Sequence, residues 1–156
     1  MLEISIPDFG TLRLEHLVMD YNGTLACDGE LEPGVYQALE ALQHNLQIHI
    51  VTADTFGQVR AAFAQTSYQV SVLPKDDQAQ GKLDYIRNLG PQKCVCMGNG
   101  RNDRSMLAEA ALGVAVILDE GVSREALMAA DVTVQGIVPA LELLQKPLRL
   151  TATLRA

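Results

Sequence analysis

The sequence predicts a doubly wound (Rossmann-like) α/β fold, a parallel sheet with helices on both faces. Three observations predict it. From His16 to Leu144, apolar runs of strand length alternate with segments of helical period. Several of these runs end in polar or glycine residues, as strands do at the open edge where such sheets build sites. Ahead of them, residues 1–15 alternate with period two about a Pro-Asp-Phe-Gly turn and predict a separate N-terminal β-hairpin.

In the hairpin, Leu2, Ile4 and Ile6 alternate, Pro7 to Gly10 turns the chain, and Leu12 and Leu14 alternate again. His16 to Asp20 reads as a short buried strand. A polar stretch with a flap at Ala26 to Leu31 follows. Pro33 suits a first helical turn, and Val35, Leu39, Leu42 and Leu46 then share one face. Gln47 to Val51 is a strand closed by Thr52. Thr55 to Ala64 reads as a helix that Asp54 is placed to cap, and Tyr68 to Leu73 as a strand. Leu83, Ile86 and Leu89 line the next helix, which Gly90-Pro91 stops. Then come a strand at Lys93 to Met97, a glycine-rich loop at Gly98 to Asn102 and a helix at Ser105 to Ala111. A strand at Gly113 to Leu118, a helix at Ser123 to Ala130, a strand at Asp131 to Val134 and a helix at Ile137 to Leu144 complete the series. Pro147 stops the last helix, and the tail Leu148 to Leu154 alternates apolar and polar. The whole reads as one domain, 1–156, with the hairpin at 1–15 and the tail at 147–156.

Composition narrows the function. Of 156 residues, 48% are apolar and 20% charged, which suits a packed core. Twelve basic against nineteen acidic side chains leave a net charge of −7, which argues against nucleic acid or an anionic membrane as partner. No apolar run is long enough to span a bilayer, and the N-terminus lacks the pattern of a signal peptide, so a cytoplasmic protein is expected. Cys27, Cys94 and Cys96 make no disulfide framework; Cys94 and Cys96 read as small buried hydrophobes. His16, His44 and His49 are scattered and read as structural or surface residues.

The strand ends carry the chemistry. The first ends in Asp20-Tyr21-Asn22-Gly23-Thr24-Leu25, the second in Thr52-Ala53-Asp54, and the fourth in Gly98-Asn99-Gly100-Arg101-Asn102-Asp103. The helix after the third begins near Lys82. Two carboxylates, a hydroxyl and an ammonium thus converge on one crevice, donors suited to a hard cation and to phosphoryl oxygens. Gly98-Asn99-Gly100 is not a dinucleotide fingerprint, because the third glycine would fall at Asp103, and a P-loop is missing too.

DxxGTL after an apolar strand, a strand ending in Thr, then a Lys, then GNGxND resembles the haloacid dehalogenase (HAD) superfamily, from about His16 to Leu144. Within it the chain looks most like soluble relatives of the P-type ATPase phosphorylation domain. The resemblance implies that Asp20 is the nucleophile that becomes a phosphoaspartate, that Thr52 binds the transferring phosphoryl group and that Lys82 neutralises its charge. Lys75 is the rival lysine, but Gly81-Lys82 opens a helix as the family's lysine does. The resemblance further implies that Mg²⁺ sits with Asp20, the backbone carbonyl of Asn22, Asn99 and Asp103. Gly23 and Thr24 shape the loop under the phosphate; Ala53 and Asn102 complete the substrate-binding set.

Two departures bear on activity. Asn22 stands where the family's phosphatases carry an acid–base Asp, and an amide shuttles no proton; that loss is typically worth about 10²–10⁴-fold. Asn99 stands where a metal-binding Asp is usual. The chain also has no room for a cap domain, since only 31 residues separate Asp20 from Thr52 and 29 separate Thr52 from Lys82. Capless members often cover the site with another subunit, so a homo-oligomer such as a tetramer is expected, with the hairpin and tail at the contact. The expected partner is otherwise a small phosphorylated substrate or phosphodonor. Two other classes compete. One is a degenerate HAD domain acting as a metal- or phosphate-binding or protein-interaction module. The other is a receiver domain, disfavoured because the third strand ends in Leu73-Pro74-Lys75 with no acceptor Asp.

Overall fold

The computed structural model describes residues 1–53 and 58–156. Strands β1 (Leu2–Ile6) and β2 (Gly10–Leu14) form the antiparallel hairpin, with Leu2 opposite Leu14 and Ser5 opposite Thr11. Its alternation sorts the side chains. Ile4, Ile6, Leu12 and Leu14 are buried, while Glu3 and Arg13 pair on the outer face at 3.1 Å. After β3 (His16–Met19), a small flap is built from β4 (Ala26–Cys27) and β5 (Glu30–Leu31).

The rest alternates as expected: α1 (Val35–Leu42), β6 (Gln47–Thr52), α2 (Gln58–Ala62), β7 (Gln69–Val72), α3 (Gln78–Leu89), β8 (Cys94–Gly98), α4 (Arg104–Glu109), β9 (Leu112–Ile117), α5 (Arg124–Ala129), β10 (Val132–Gln135) and α6 (Ile137–Gln145). The start of the predicted helix at Thr55, and Asp54 as its cap, lie outside the described residues. The six strands form one parallel sheet in the order β10-β9-β8-β3-β6-β7. The chain runs outward from β3 to β7, then returns to the other side of β3 and runs outward again to β10. Right-handed crossovers therefore put α1 and α2 on one face and, after the reversal, α3, α4 and α5 on the other. Val35, Leu39 and Val59 join Leu17, Met19, Ile48 and Ile50 in one core. On the other face, Leu83, Ile86, Met106 and Ala126 pack on Val18, Val51, Cys94 and Cys96. The direction reverses between β3 and β8, where an open sheet leaves a crevice at its carboxyl edge.

The tail adds an element that its alternation alone does not assign. Residues 147–154 form a helix, α7 (Pro147–Leu154), with Pro147 in its first turn. Its alternation of apolar and polar residues is compatible with a helix because Leu150 and Leu154 are four apart, on one helical face. Leu150 is fully buried and Leu154 packs against the same core as the hairpin, whereas Leu148 is 82% exposed. The apolar face of the hairpin is thus covered by its own chain.

Candidate active site

Three charged side chains meet at the switch point. Lys82, in the second turn of α3, is 1% exposed, and its Nζ donates to Asp20 Oδ1 at 2.6 Å and to Asp103 Oδ1 at 2.6 Å. Asp20 follows β3 directly and is held by its own N–H donating to the Met97 carbonyl of β8 at 3.0 Å. Asp103 is fully buried at the end of a single 3₁₀ turn (Arg101–Asp103) after β8. Its Oδ2 accepts the Asn99 N–H at 3.0 Å and the Gly100 N–H at 2.8 Å. Each charged group of the cluster is thus hydrogen-bonded, as burial demands.

The charge does not balance. Two carboxylates face one ammonium, which leaves one excess negative charge in a nearly water-free site. Burial first, and then repulsion from Asp103, raise Asp20 to about 7 against the pull of Lys82. For Lys82, burial alone would depress the ammonium, but Asp20 and Asp103 outweigh it and raise it. The donor set is hard oxygen, and the uncompensated charge is negative; both suit a divalent cation such as Mg²⁺.

The remaining predicted residues gather around this cluster unequally. Thr52 is buried at the end of β6, the strand beside β3. Ala53 is half-buried next to it. Asn22 is exposed two residues beyond Asp20, where the chain bridges to Ala26. Gly23, with φ 79°, and the fully buried Thr24 lie under the loop after β8, and Thr24 donates to Asn99 Oδ1 at 3.3 Å. Asn102 is half-buried, with its Oδ1 2.6 Å from where a Cβ on Gly100 would sit. Lys75, the rival lysine, is exposed.

Sequence reasoning overlooked the loop after β9. Asn99 Nδ2 donates to the Gly121 carbonyl at 3.0 Å, and the Ser123 N–H donates to the Asn99 carbonyl at 2.8 Å. The signal that could have found it was positional, because Asp119-Glu120-Gly121 also follows a strand. A surface groove lined among others by Glu15, His44, Gln47 and Tyr68 opens elsewhere and brings one carboxylate. Convergent charge, rather than concavity, distinguishes the site.

The fold is HAD-like, a parallel six-stranded sheet with helices and an N-terminal hairpin. Solved structures share this fold: a HAD superfamily (subfamily III A) hydrolase from Legionella pneumophila, at TM-score 0.72 and 15% identity, covers 92% of this chain and 88% of its own. The 3-deoxy-D-manno-octulosonate 8-phosphate phosphatase of Moraxella catarrhalis, solved with magnesium, phosphate and its sugar, matches at TM-score 0.70 and 18% identity over 85% of this chain and 86% of its own. A zinc-transporting P-type ATPase matches at TM-score 0.60 and 20% identity over 79% of this chain and 20% of its own. No family model matches the sequence. By sequence, the chain belongs to the family of the uncharacterized protein MJ0073 of Methanocaldococcus jannaschii, with which it is 42% identical over 74 residues, 47% of this chain and 80% of that protein. Among the described residues, no helix is long and apolar enough to cross a membrane.

Proposed function

We propose that the chain is a Mg²⁺-dependent phosphohydrolase or phosphotransferase that works through a phosphoaspartate on Asp20. The observation that carries this reading is the buried Lys82 bridging Asp20 and Asp103 at 2.6 Å on each side. The shared fold of magnesium- and cobalt-bound phosphatases supports it. An Asp20 oxygen attacks phosphorus while the bond to the leaving oxygen breaks. Lys82 offsets charge on the transferring group, Thr52 donates to it, and the Gly23-Thr24 loop, Ala53 and Asn102 shape its seat. Asp20, the Asn22 carbonyl and Asp103 would hold Mg²⁺, which supplies charge compensation for phosphoryl transfer; Asn99, expected in that set, has its side-chain amide engaged instead by the Thr24 hydroxyl and the Gly121 carbonyl. Water then attacks phosphorus and releases the Asp20 carboxylate.

Asn22 neither protonates the leaving oxygen nor deprotonates that water. The reading is therefore of slow turnover, a preference for good leaving groups such as acyl phosphates, and a long-lived phosphoenzyme. A cytoplasmic setting, a small phosphorylated substrate and a homo-oligomer belong to the same proposal.

Incubation with Mg²⁺ and acetyl phosphate should give an acid-stable, hydroxylamine-labile adduct that Asp20→Asn abolishes. An adduct that persists in Asp20→Asn defeats the assignment. No adduct with any small phosphodonor favours the rival reading, a degenerate binding module. Asn22→Asp should raise aryl-phosphatase turnover by about 10²-fold or more; an unchanged rate would mean that proton transfer is not limiting.

A further inference from the structure

Asn99 uses every polar group it has. Its N–H donates to Asp103 Oδ2, and its C=O accepts from Ser123. Its Oδ1 accepts from Thr24, and its Nδ2 donates to the Gly121 carbonyl. We infer that Asn99 is a positioning residue whose side-chain amide clips together the loops after β3, β8 and β9, so that the site assembles without a metal ion. The proposed phosphotransfer reading gives this clip its purpose, but the contacts themselves do not depend on it.

The chemistry of the two ends of the amide selects Asn over Asp. One end meets a hydroxyl, which either residue would satisfy. The other end meets the Gly121 carbonyl oxygen at 3.0 Å, and only an N–H donor is compatible with it. A carboxylate there would set oxygen against oxygen and leave the Gly121 carbonyl without its donor. It would also add a third negative charge beside a cluster that already has one in excess.

Gly23 completes the clip from below. A Cβ built there would lie 2.7 Å from Asn99 Cγ, so any side chain would push the amide off its seat. The positive φ of Gly23 separately favours glycine. A second tie joins the same loops, as the Asp28 N–H of the flap donates to Glu120 Oε1 at 2.7 Å. Because the Asn99 N–H also holds Asp103, the clip fixes the carboxylate that receives Lys82. Supporting contacts of this kind set how well a site is preorganised.

Amide hydrogen exchange of the whole chain tests this without turnover. In wild type, the Ser123 and Gly100 amides should be equally protected in chelator and in saturating Mg²⁺. In chelator, Asn99→Asp should lose about tenfold or more of that protection, with a lower melting temperature. Thr24→Val removes a single donor from the clip and should lose less at the same amides. Wild-type protection that collapses in chelator, or an Asn99→Asp protein that keeps wild-type protection there, overturns the inference. Should Asn99→Asp not fold, Thr24→Val with unchanged protection at Ser123 and Gly100 would overturn it. Loss of the acetyl phosphate adduct in wild type, with protection intact, would sink the phosphotransfer reading and leave the clip standing.

Discussion

Two buried polar clusters lie under the same helix, and they solve the problem of burial in opposite ways. At the carboxyl edge of the sheet, the Lys82 ammonium of α3 bridges the carboxyl groups of Asp20 and Asp103. One turn along α3, Tyr85 caps a neutral chain of hydrogen bonds. Ser71 Oγ donates to Tyr85 Oη at 3.3 Å, Tyr85 Oη meets His49 Nδ1 at 2.9 Å, and His49 Nε2 meets His16 Nδ1 at 3.1 Å. With Ser71 donating, Tyr85 donates to His49 Nδ1, which leaves the His49 Nε2–H to donate to His16. Both imidazoles are then neutral. Burial, aided by the nearby His16, lowers His49 to about 4, and burial lowers His16 as well. A structural cluster has removed its charge, whereas the cluster at the crevice retains charge that its own residues do not neutralise. That contrast is what marks a site, since perturbed groups in a neutral, closed network need no ligand.

The largest effect should come from the cation that holds the charged cluster together. Lys82→Met leaves two buried carboxylates facing each other with no counter-charge. Removing one partner of a buried ion pair costs about 3–5 kcal/mol, and urea unfolding in chelator should show a loss of that size. Asp20→Asn in the same chain should recover part of it, because a neutral amide no longer repels Asp103. A Lys82→Met protein as stable as wild type would mean that Asp20 is already protonated and that the cluster is not charged as described.

Next in size are two pH slopes of opposite sign. Asp20 titrates near 7 when folded and near 3.8 when unfolded, so between those values the folded state holds the extra proton and stability falls as pH rises. His49 titrates near 4 when folded and near 6.5 when unfolded, so in the overlapping window the unfolded state holds the extra proton and stability rises with pH. Each slope is about 1.4 kcal/mol per pH unit at its steepest. In wild type without metal the two contributions oppose each other and partly cancel. Relative to wild type, Asp20→Asn should make stability rise more steeply with pH over the window from about pH 4.5 to about pH 6.5, and His49→Gln less steeply, whatever the static cost of either change. Chemical unfolding at half-unit pH steps measures both. Changes of slope in the same direction in the two variants would break the comparison.

The two clusters also differ in how plainly the sequence announced them. Asp20, Thr52, Lys82 and Asp103 each follow a strand or open a helix, so topology alone sends them to one edge, and the doubly wound order was legible from the alternation of periods. His16, His49 and Tyr85 lie 33 and 36 residues apart. They meet only because β3 and β6 pair in a register that puts His49 opposite Val18, and because α3 returns across that face. No local pattern encodes that meeting. Asn99 is intermediate. Its place in the loop was evident, but the role of its amide depends on the Gly121 carbonyl, a backbone atom with no signature in the sequence. The helical tail is obscure in the sequence for a related reason. Leucines at positions 148, 150 and 154 satisfy both periods in part, and packing under the hairpin decided between them.

The smallest effect tests whether α3 transmits anything between its two clusters. Tyr85→Phe removes the hydroxyl shared by His49 Nδ1 and Ser71 Oγ and leaves both without that partner. The cost should be about 1–2 kcal/mol, since an orphaned buried acceptor loses its solvation and gains nothing in return. Lys82 lies three residues earlier on α3, yet its position is set by two ion pairs of its own at 2.6 Å and by burial at 1% exposure. Tyr85→Phe should therefore lower the unfolding midpoint while leaving the rate of adduct formation with acetyl phosphate unchanged. A fall in that rate, with the protein still folded, would mean that the neutral chain also sets the azimuth of α3 and with it the reach of Lys82. The two clusters would then be one device rather than two, and the neutrality of the lower one would serve the charge of the upper.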